Sequence, residues 1–209
     1  MAMNEREYRN MDFVVLNRDN DEKQYIVEGY ASTFDTYTLL TVDGVDYKER
    51  IERTAFDNAD LSDVVFRVDH TGPVYARSSA GTVSVGPDEH GLKSVTDLSR
   101  TERSRGIYEE LAAGNYPQMS FAFRVADGGD RYDPDTHTRI IEHIDKVFDV
   151  SPVSFPANPN TSLSVRDYFN GAIEMEKAAA AERLAAEEAE RRDSERREML
   201  KNKISEVIG

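Results

Sequence analysis

The chain has 209 residues, 39% of them apolar, which is enough for one sizeable core plus an appendage, and it carries a formal net charge of −14. It contains no cysteine, which excludes a disulfide framework, a thiolate metal site and a cysteine nucleophile. From Gly171 onward ten acidic residues meet eight basic ones, so the acidic excess lies in the body, disfavouring direct contact with nucleic acid and favouring a neutral or basic protein partner.

The opening Met1-Ala-Met-Asn-Glu-Arg-Glu-Tyr-Arg lacks the basic-then-apolar order of a signal peptide. No apolar run approaches the roughly 20 residues of a membrane span. A soluble, intracellular protein without membrane contact is expected, with residues 1–11 as an N-terminal arm. From Asp12 to about Arg166 the pattern is one of short runs rich in β-branched and aromatic residues. They are Phe13 to Leu16, Tyr25 to Ala31, Asp63 to Val68, Gly81 to Val85, Leu92 to Leu98, Ser120 to Val125 and Arg139 to Val147. Turn residues punctuate them at Asn17 to Asp21, Gly72-Pro73, Gly86 to Gly91 and Asp127-Gly-Gly-Asp130. Residues 12–166 therefore read as one mainly β domain with helices, in the α+β class, folded as an antiparallel barrel or sandwich.

Two helical interruptions are predicted. One spans Glu49–Ala59. Thr101–Ala113 has Thr101 or Ser104 as its cap, Ile107, Leu111 and Ala112 at helical spacing, and Gly114 as its stop. Residues 167–209 form a charged helical tail, in which Ala, Glu, Arg and Lys dominate up to Lys203. Between Leu184 and Met199 the only apolar side chains are alanines, so this helix lacks the broad stripe of a core helix and is expected to project from the domain. It reads either as a solvated helix or as a coiled-coil or docking surface. The closing Met199 to Ile208 segment is amphipathic and fits a docking motif.

Three residues capable of chemistry interrupt apolar runs. Ser120 starts a strand in which Ser120, Ala122 and Arg124 share one face and Phe121, Phe123 and Val125 the other. His70 closes Val64-Val-Phe-Arg-Val-Asp-His and precedes Thr71-Gly72-Pro73, read as a turn that sets the ring at a rim. A buried hydroxyl or imidazole without a partner costs about 1–3 kcal/mol, so the two invite pairing with each other, the minimum of a hydrolase site. Asp149, between Phe148 and Val150, is either an exposed strand carboxylate or the acid that would accept the second imidazole N–H. His143 shares its strand parity but lies roughly 20 Å away on an extended strand, and stands as the alternative third member. His90 and His137 fall in turns. No histidine pair has the spacing of a helical zinc site and no Gly-rich phosphate loop occurs, so neither a metal nor a cofactor is expected.

Taken in order, several segments resemble the prohead protease family of tailed bacteriophages, capsid maturation proteases related in fold to herpesvirus assemblin. The matching pieces are Val27-Glu-Gly-Tyr-Ala-Ser-Thr-Phe34, Tyr47-Lys-Glu-Arg-Ile-Glu-Arg-Thr-Ala-Phe-Asp57, Val68-Asp-His70, the stretch from Tyr108 to Phe123 with Met-Ser-Phe-Ala-Phe, and Phe148-Asp-Val-Ser-Pro-Val-Ser-Phe-Pro-Ala157. The resemblance spans about residues 12–166 and implies a barrel-like assemblin-type domain. It implies His70 as the catalytic histidine, Ser120 as the nucleophile and Asp149 as the third member, where the family usually has glutamate. Ala122 and Thr54 replace glycines usual in the family.

By this resemblance the chain is a serine endopeptidase of prohead maturation. Its expected partners are the major capsid protein or a scaffold protein as substrate, and the protease itself, inside the assembling prohead in the host cytoplasm. The projecting helix would recruit the enzyme there and could join copies into a homo-oligomer. The alternative function is non-enzymatic: a capsid-assembly or scaffold protein that acts through its C-terminal helix.

Overall fold

In a computed structural model, residues 6–12, 25–154 and 163–208 are described. In chain order the elements are β1 (Glu7–Asp12), β2 (Ile26–Thr33), β3 (Tyr37–Val42), β4 (Val45–Ile51), β5 (Val65–Val68), β6 (Thr71–Arg77), β7 (Val83–Pro87), β8 (Gly91–Asp97), α1 (Glu102–Ala112), β9 (Gln118–Val125), β10 (Asp130–Asp133), β11 (Thr138–Ile141), β12 (Ile144–Val153) and α2 (Leu163–Ile208). The strands form three sheets, ordered β1-β9-β12-β5-β6, β10-β11-β4-β3 and β2-β8-β7. The mainly β, α+β class is as expected. The sheets do not close into a barrel. The five-stranded sheet ends on β1 and β6, and the parallel pairs β12–β5 and β11–β4 depart from an all-antiparallel arrangement.

Local chemistry accounts for the elements and for the departures. Thr101 caps α1 by accepting from the Ser104 N–H at 3.0 Å, and Gly114 ends it at φ +81°, as the sequence predicts. The segment expected as a helix over Glu49–Ala59 instead completes β4 and then makes a single 3₁₀ turn over Arg53–Phe56. Tyr47, Glu49 and Ile51 are all buried, a period of two that the inward glutamate disguises as a polar stretch. The run Arg139 to Val147 divides into β11 and β12. The predicted strand at Phe13 to Leu16 lies outside the described residues.

One apolar core joins the sheets. Phe121 and Phe123 of β9 stack at 4.5 Å, Phe56 leans on Phe121, and Val27, Ile51, Leu92, Val147 and Val150 belong to the same cluster. Beside this core lies a buried charge network that the sequence reading did not foresee. β1 sends Arg9 to Glu49 of β4 through two hydrogen bonds of 2.5 and 2.6 Å, and Glu7 to Arg139 of β11 at 2.6 and 2.9 Å. Tyr37 of β3 donates to Glu49, and Arg139 reaches Asp130 of β10. Each strand of the four-stranded sheet thus contributes one side chain to the anchor that holds β1. Burial alone would raise the pKa of Glu7, but the Arg9 and Arg139 guanidinium groups outweigh it and bring the carboxyl down to about 2.

The chain divides into two compact units, Met1–Arg166 and Asp167–Gly209. Within the second, α2 carries i,i+4 ion pairs at Arg192–Glu188 and Arg197–Asp193, while Met175, Leu184, Met199 and Leu200 are exposed. No helix among the described residues is long and apolar enough to cross a membrane.

Breaking the network should be costly, because it strands a buried charge. Arg9→Ala is expected to lose about 3–5 kcal/mol of stability in a denaturant titration, and a loss under 1 kcal/mol would show that the network contributes little. Since the folded Glu7 carboxyl titrates below its ordinary value of 4.5, its contribution is complete above that pH and is lost as pH falls toward about 2. Circular dichroism should therefore show an acid transition in that window that shrinks in Glu7→Gln.

Candidate active site

The site face of the five-stranded sheet is set by register. In the β9–β12 ladder Ser120 lies opposite Ser151 and Ala122 opposite Asp149, so Asp149 and Ser151 of β12 share a face with Ser120. Val147 pairs with Phe123 and Val150 with Phe121, on the core side. Strict alternation would place Val147 and Asp149 on the same face. A register shift between them, at Phe148, lets the valine enter the core while the carboxylate faces the site. The sequence offered no sign of this bulge, because period-two reasoning assumes that the strand is regular.

His70 arrives from a hairpin rather than from a strand end. Val68 of β5 pairs with Thr71 of β6, and Asp69 and His70 form the two-residue turn with φ of +49° and +56°. Positive φ at both central residues is the type I′ signature, usually met by Asn-Gly. Thr71-Gly72-Pro73, read from the sequence as a turn, instead begins β6. Pro73 is tolerated there because β6 is an edge strand.

These elements bring the three predicted residues together. His70 Nε2 lies 2.6 Å from Ser120 Oγ, and His70 Nδ1 lies 2.6 Å from Asp149 Oδ1. A carboxylate only accepts, so it takes the Nδ1–H and leaves Nε2 to accept from the Ser120 hydroxyl. Ser120 is fully buried and Asp149 nearly so, while the imidazole keeps 14% of its side-chain surface exposed. A base held between an alcohol and an acid in this way can remove the alcohol's proton while the acid stabilises the resulting imidazolium.

Several neighbours were not singled out from sequence. Ser151 Oγ donates to Asp149 Oδ1 at 2.7 Å, and its position two residues on along a strand was the signal that it would share the face. Tyr8 of β1 lies opposite Ala122 and meets the imidazole edge-on at 4.6 Å between centroids, a contact between distant segments that no local pattern announces. His143, the alternative third member, is exposed in the connection before β12. Its sequence parity with Asp149 has no meaning across two register shifts in that strand. Arg124, on the same strand face as Ser120 by alternation, is engaged by Asp145 and lies over the Phe148 ring. His90 meets Tyr30 edge-on, and His137 sits beside Tyr132 and Tyr47.

Residues 12–174 match the family model for the caudovirus prohead serine protease. The chain belongs to this family. No curated protein and no solved structure matches it. Membership makes the chain a serine-peptidase relative with a role in phage capsid maturation. The matched region contains β2 to β12, whereas β1 lies almost entirely before it.

The Ser151 hydroxyl is one of two donors on Asp149 Oδ1. Ser151→Ala is expected to lower stability by about 1–2 kcal/mol in urea unfolding, and an unchanged midpoint would show that the hydroxyl is dispensable.

Proposed function

We propose that the protein is a serine endopeptidase in which Ser120 is the nucleophile, His70 the general base and acid, and Asp149 the orienting acid. The observation that carries this reading is the single imidazole within 2.6 Å of both the buried hydroxyl and the buried carboxylate. Ser120 Oγ attacks the scissile carbonyl carbon as its proton passes to His70 Nε2, and Asp149 holds the opposite edge of the imidazolium. Collapse of the tetrahedral intermediate breaks the C–N bond, with Nε2 returning the proton to the leaving amine. Water, deprotonated by the same imidazole, then releases the acyl group. Aspartate in place of the family's usual glutamate shortens the acid by one methylene, and the 2.6 Å contact supports Asp149 as a full substitute in this chain. Because Ser120 has no exposed surface, substrate entry requires a local opening around the hydroxyl.

The proposed substrates are the scaffolding segment of the major capsid protein or a separate scaffold protein, and the protease itself, inside the assembling prohead in the host cytoplasm. Family membership supports this setting. The acidic body supports a protein rather than a nucleic-acid partner. α2, with exposed apolar residues at Met175, Leu184, Met199 and Leu200, is the proposed recruiting or self-associating element.

Incubation of the purified chain with its capsid and scaffold proteins should give specific cleavage. Ser120→Ala and His70→Ala should abolish it with circular dichroism unchanged, and Asp149→Asn should lower kcat by about 10³–10⁴. Cleavage that persists in Ser120→Ala would exclude that hydroxyl as nucleophile. For the tail, deletion of residues 171–209 should reduce the mass seen by light scattering; an identical oligomer would rule out self-association through the helix.

A further inference from the structure

The turn that carries His70 is strained, and the strain has a counterweight. Two successive non-glycine residues, Asp69 and His70, occupy the left-handed region, where a Cβ is sterically unfavourable. Glycine at the first position would form the same turn without that strain, so a stable hairpin alone does not require Asp69. What the aspartate side chain adds is a set of contacts to Ser154, the residue just beyond β12, beside a backbone bond to β12 that glycine would also make. Its carboxylate accepts from the Ser154 N–H at 2.8 Å and from the Ser154 hydroxyl at 3.0 Å, and its own N–H donates to the Pro152 carbonyl at 3.0 Å. From within the hairpin, Arg67 donates to the carbonyls of His70 and Gly72 at 3.3 and 3.0 Å.

The location of these bonds gives them a role. Pro152 and Ser154 follow Asp149 by three and five residues, so the clamp ties the histidine's turn to the chain segment that carries its acid. β5 and β12 pair only at Val65 and Phe66, at the far end of β5 from the turn. Beyond those residues the Asp69 bonds to Pro152 and Ser154 tie the two segments together. We propose that Asp69 is a positioning residue for His70, acting through its carboxylate bonds to Ser154 to hold the imidazole at bonding distance from Asp149 and Ser120 together. Asp69 is exposed, so removing its side chain leaves no cavity in the core. The proposal rests on the serine endopeptidase reading for its kinetic consequence, but its geometric content does not.

The decisive variant is Asp69→Gly, which keeps a residue suited to positive φ and the backbone bond to Pro152 while deleting the carboxylate bonds to Ser154, and so separates turn formation from positioning. Misplacing a catalytic group by about an ångström costs on the order of 100-fold in rate. The expected result is a fall in kcat of about 10- to 100-fold with KM within about twofold and an unfolding midpoint equal to or above that of the parent. Asp69→Asn, whose amide oxygen accepts from the Ser154 N–H and which tolerates left-handed φ, should keep kcat within about threefold. In proton NMR the far-downfield Nδ1–H signal of His70 should be sharp in the parent and in Asp69→Asn, and broadened or lost in Asp69→Gly. Full kcat and an unaltered signal in Asp69→Gly would overturn the proposal. If the parent shows the signal but cleaves nothing, the endopeptidase reading fails, and the signal in Asp69→Gly still decides whether the clamp positions the ring.

Discussion

The site depends on the register between β9 and β12. Ser151 opposite Ser120 and Asp149 opposite Ala122 put the acid and the alcohol on one face, at a separation that one imidazole bridges. A slip of one residue would turn the carboxylate into the aromatic core and leave a buried charge without a partner, which costs several kcal/mol. The ladder is protected against such a slip from its other face. Phe121 and Phe123 stack on each other, and Val147 and Val150 pair beside them, so the core enforces the same register that the site needs. The bulge at Phe148 reconciles the two faces by adding the residue that lets Val147 and Asp149 point oppositely.

Two further constraints bear on the imidazole. β1 pairs with β9, placing Tyr8 against the ring on one face and Glu7 and Arg9 in the buried ion network on the other. An edge strand of six residues would be weakly held by ladder bonds alone, and the anchoring to Glu49 and Arg139 makes it part of the domain. The histidine's own turn is held in an unfavourable backbone conformation by bonds to β12 and from Arg67. Strain concentrated at a hairpin whose side chain completes a proposed triad is where a protein that needs exact geometry is expected to accept it.

The family model and the structure support the functional reading in different ways. The match over residues 12–174 establishes the family and, with it, a protease role in capsid maturation. The geometry contributes the arrangement of His70, Ser120 and Asp149, which supports the proposed roles independently of any motif. β1 falls at the margin of the matched region, yet it shapes the site through Tyr8, so the family pattern alone understates what surrounds the histidine.

Much was legible in the amino-acid order. β2, β8, β9 and α1 follow from alternation, capping and the Gly114 stop, because these depend on neighbours within a turn or a strand. His70, Ser120 and Asp149 stood out as polar residues at the ends or within apolar runs, and resemblance assigned them roles. Glu49 shows where local reasoning ended: its charge hid a strand because the guanidinium groups that neutralise it come from β1 and β11. The left-handed turn at Asp69-His70, the bulge at Phe148 and the open sheets were likewise decided by tertiary structure. Amino-acid order alone marked which residues were chemically unusual and where most strands and α1 would form, since those properties arise over a few residues. Which faces met, in what register and around which buried charges, was decided only when distant segments packed, because hydrogen-bond geometry and charge neutralisation act between atoms adjacent in space rather than along the chain.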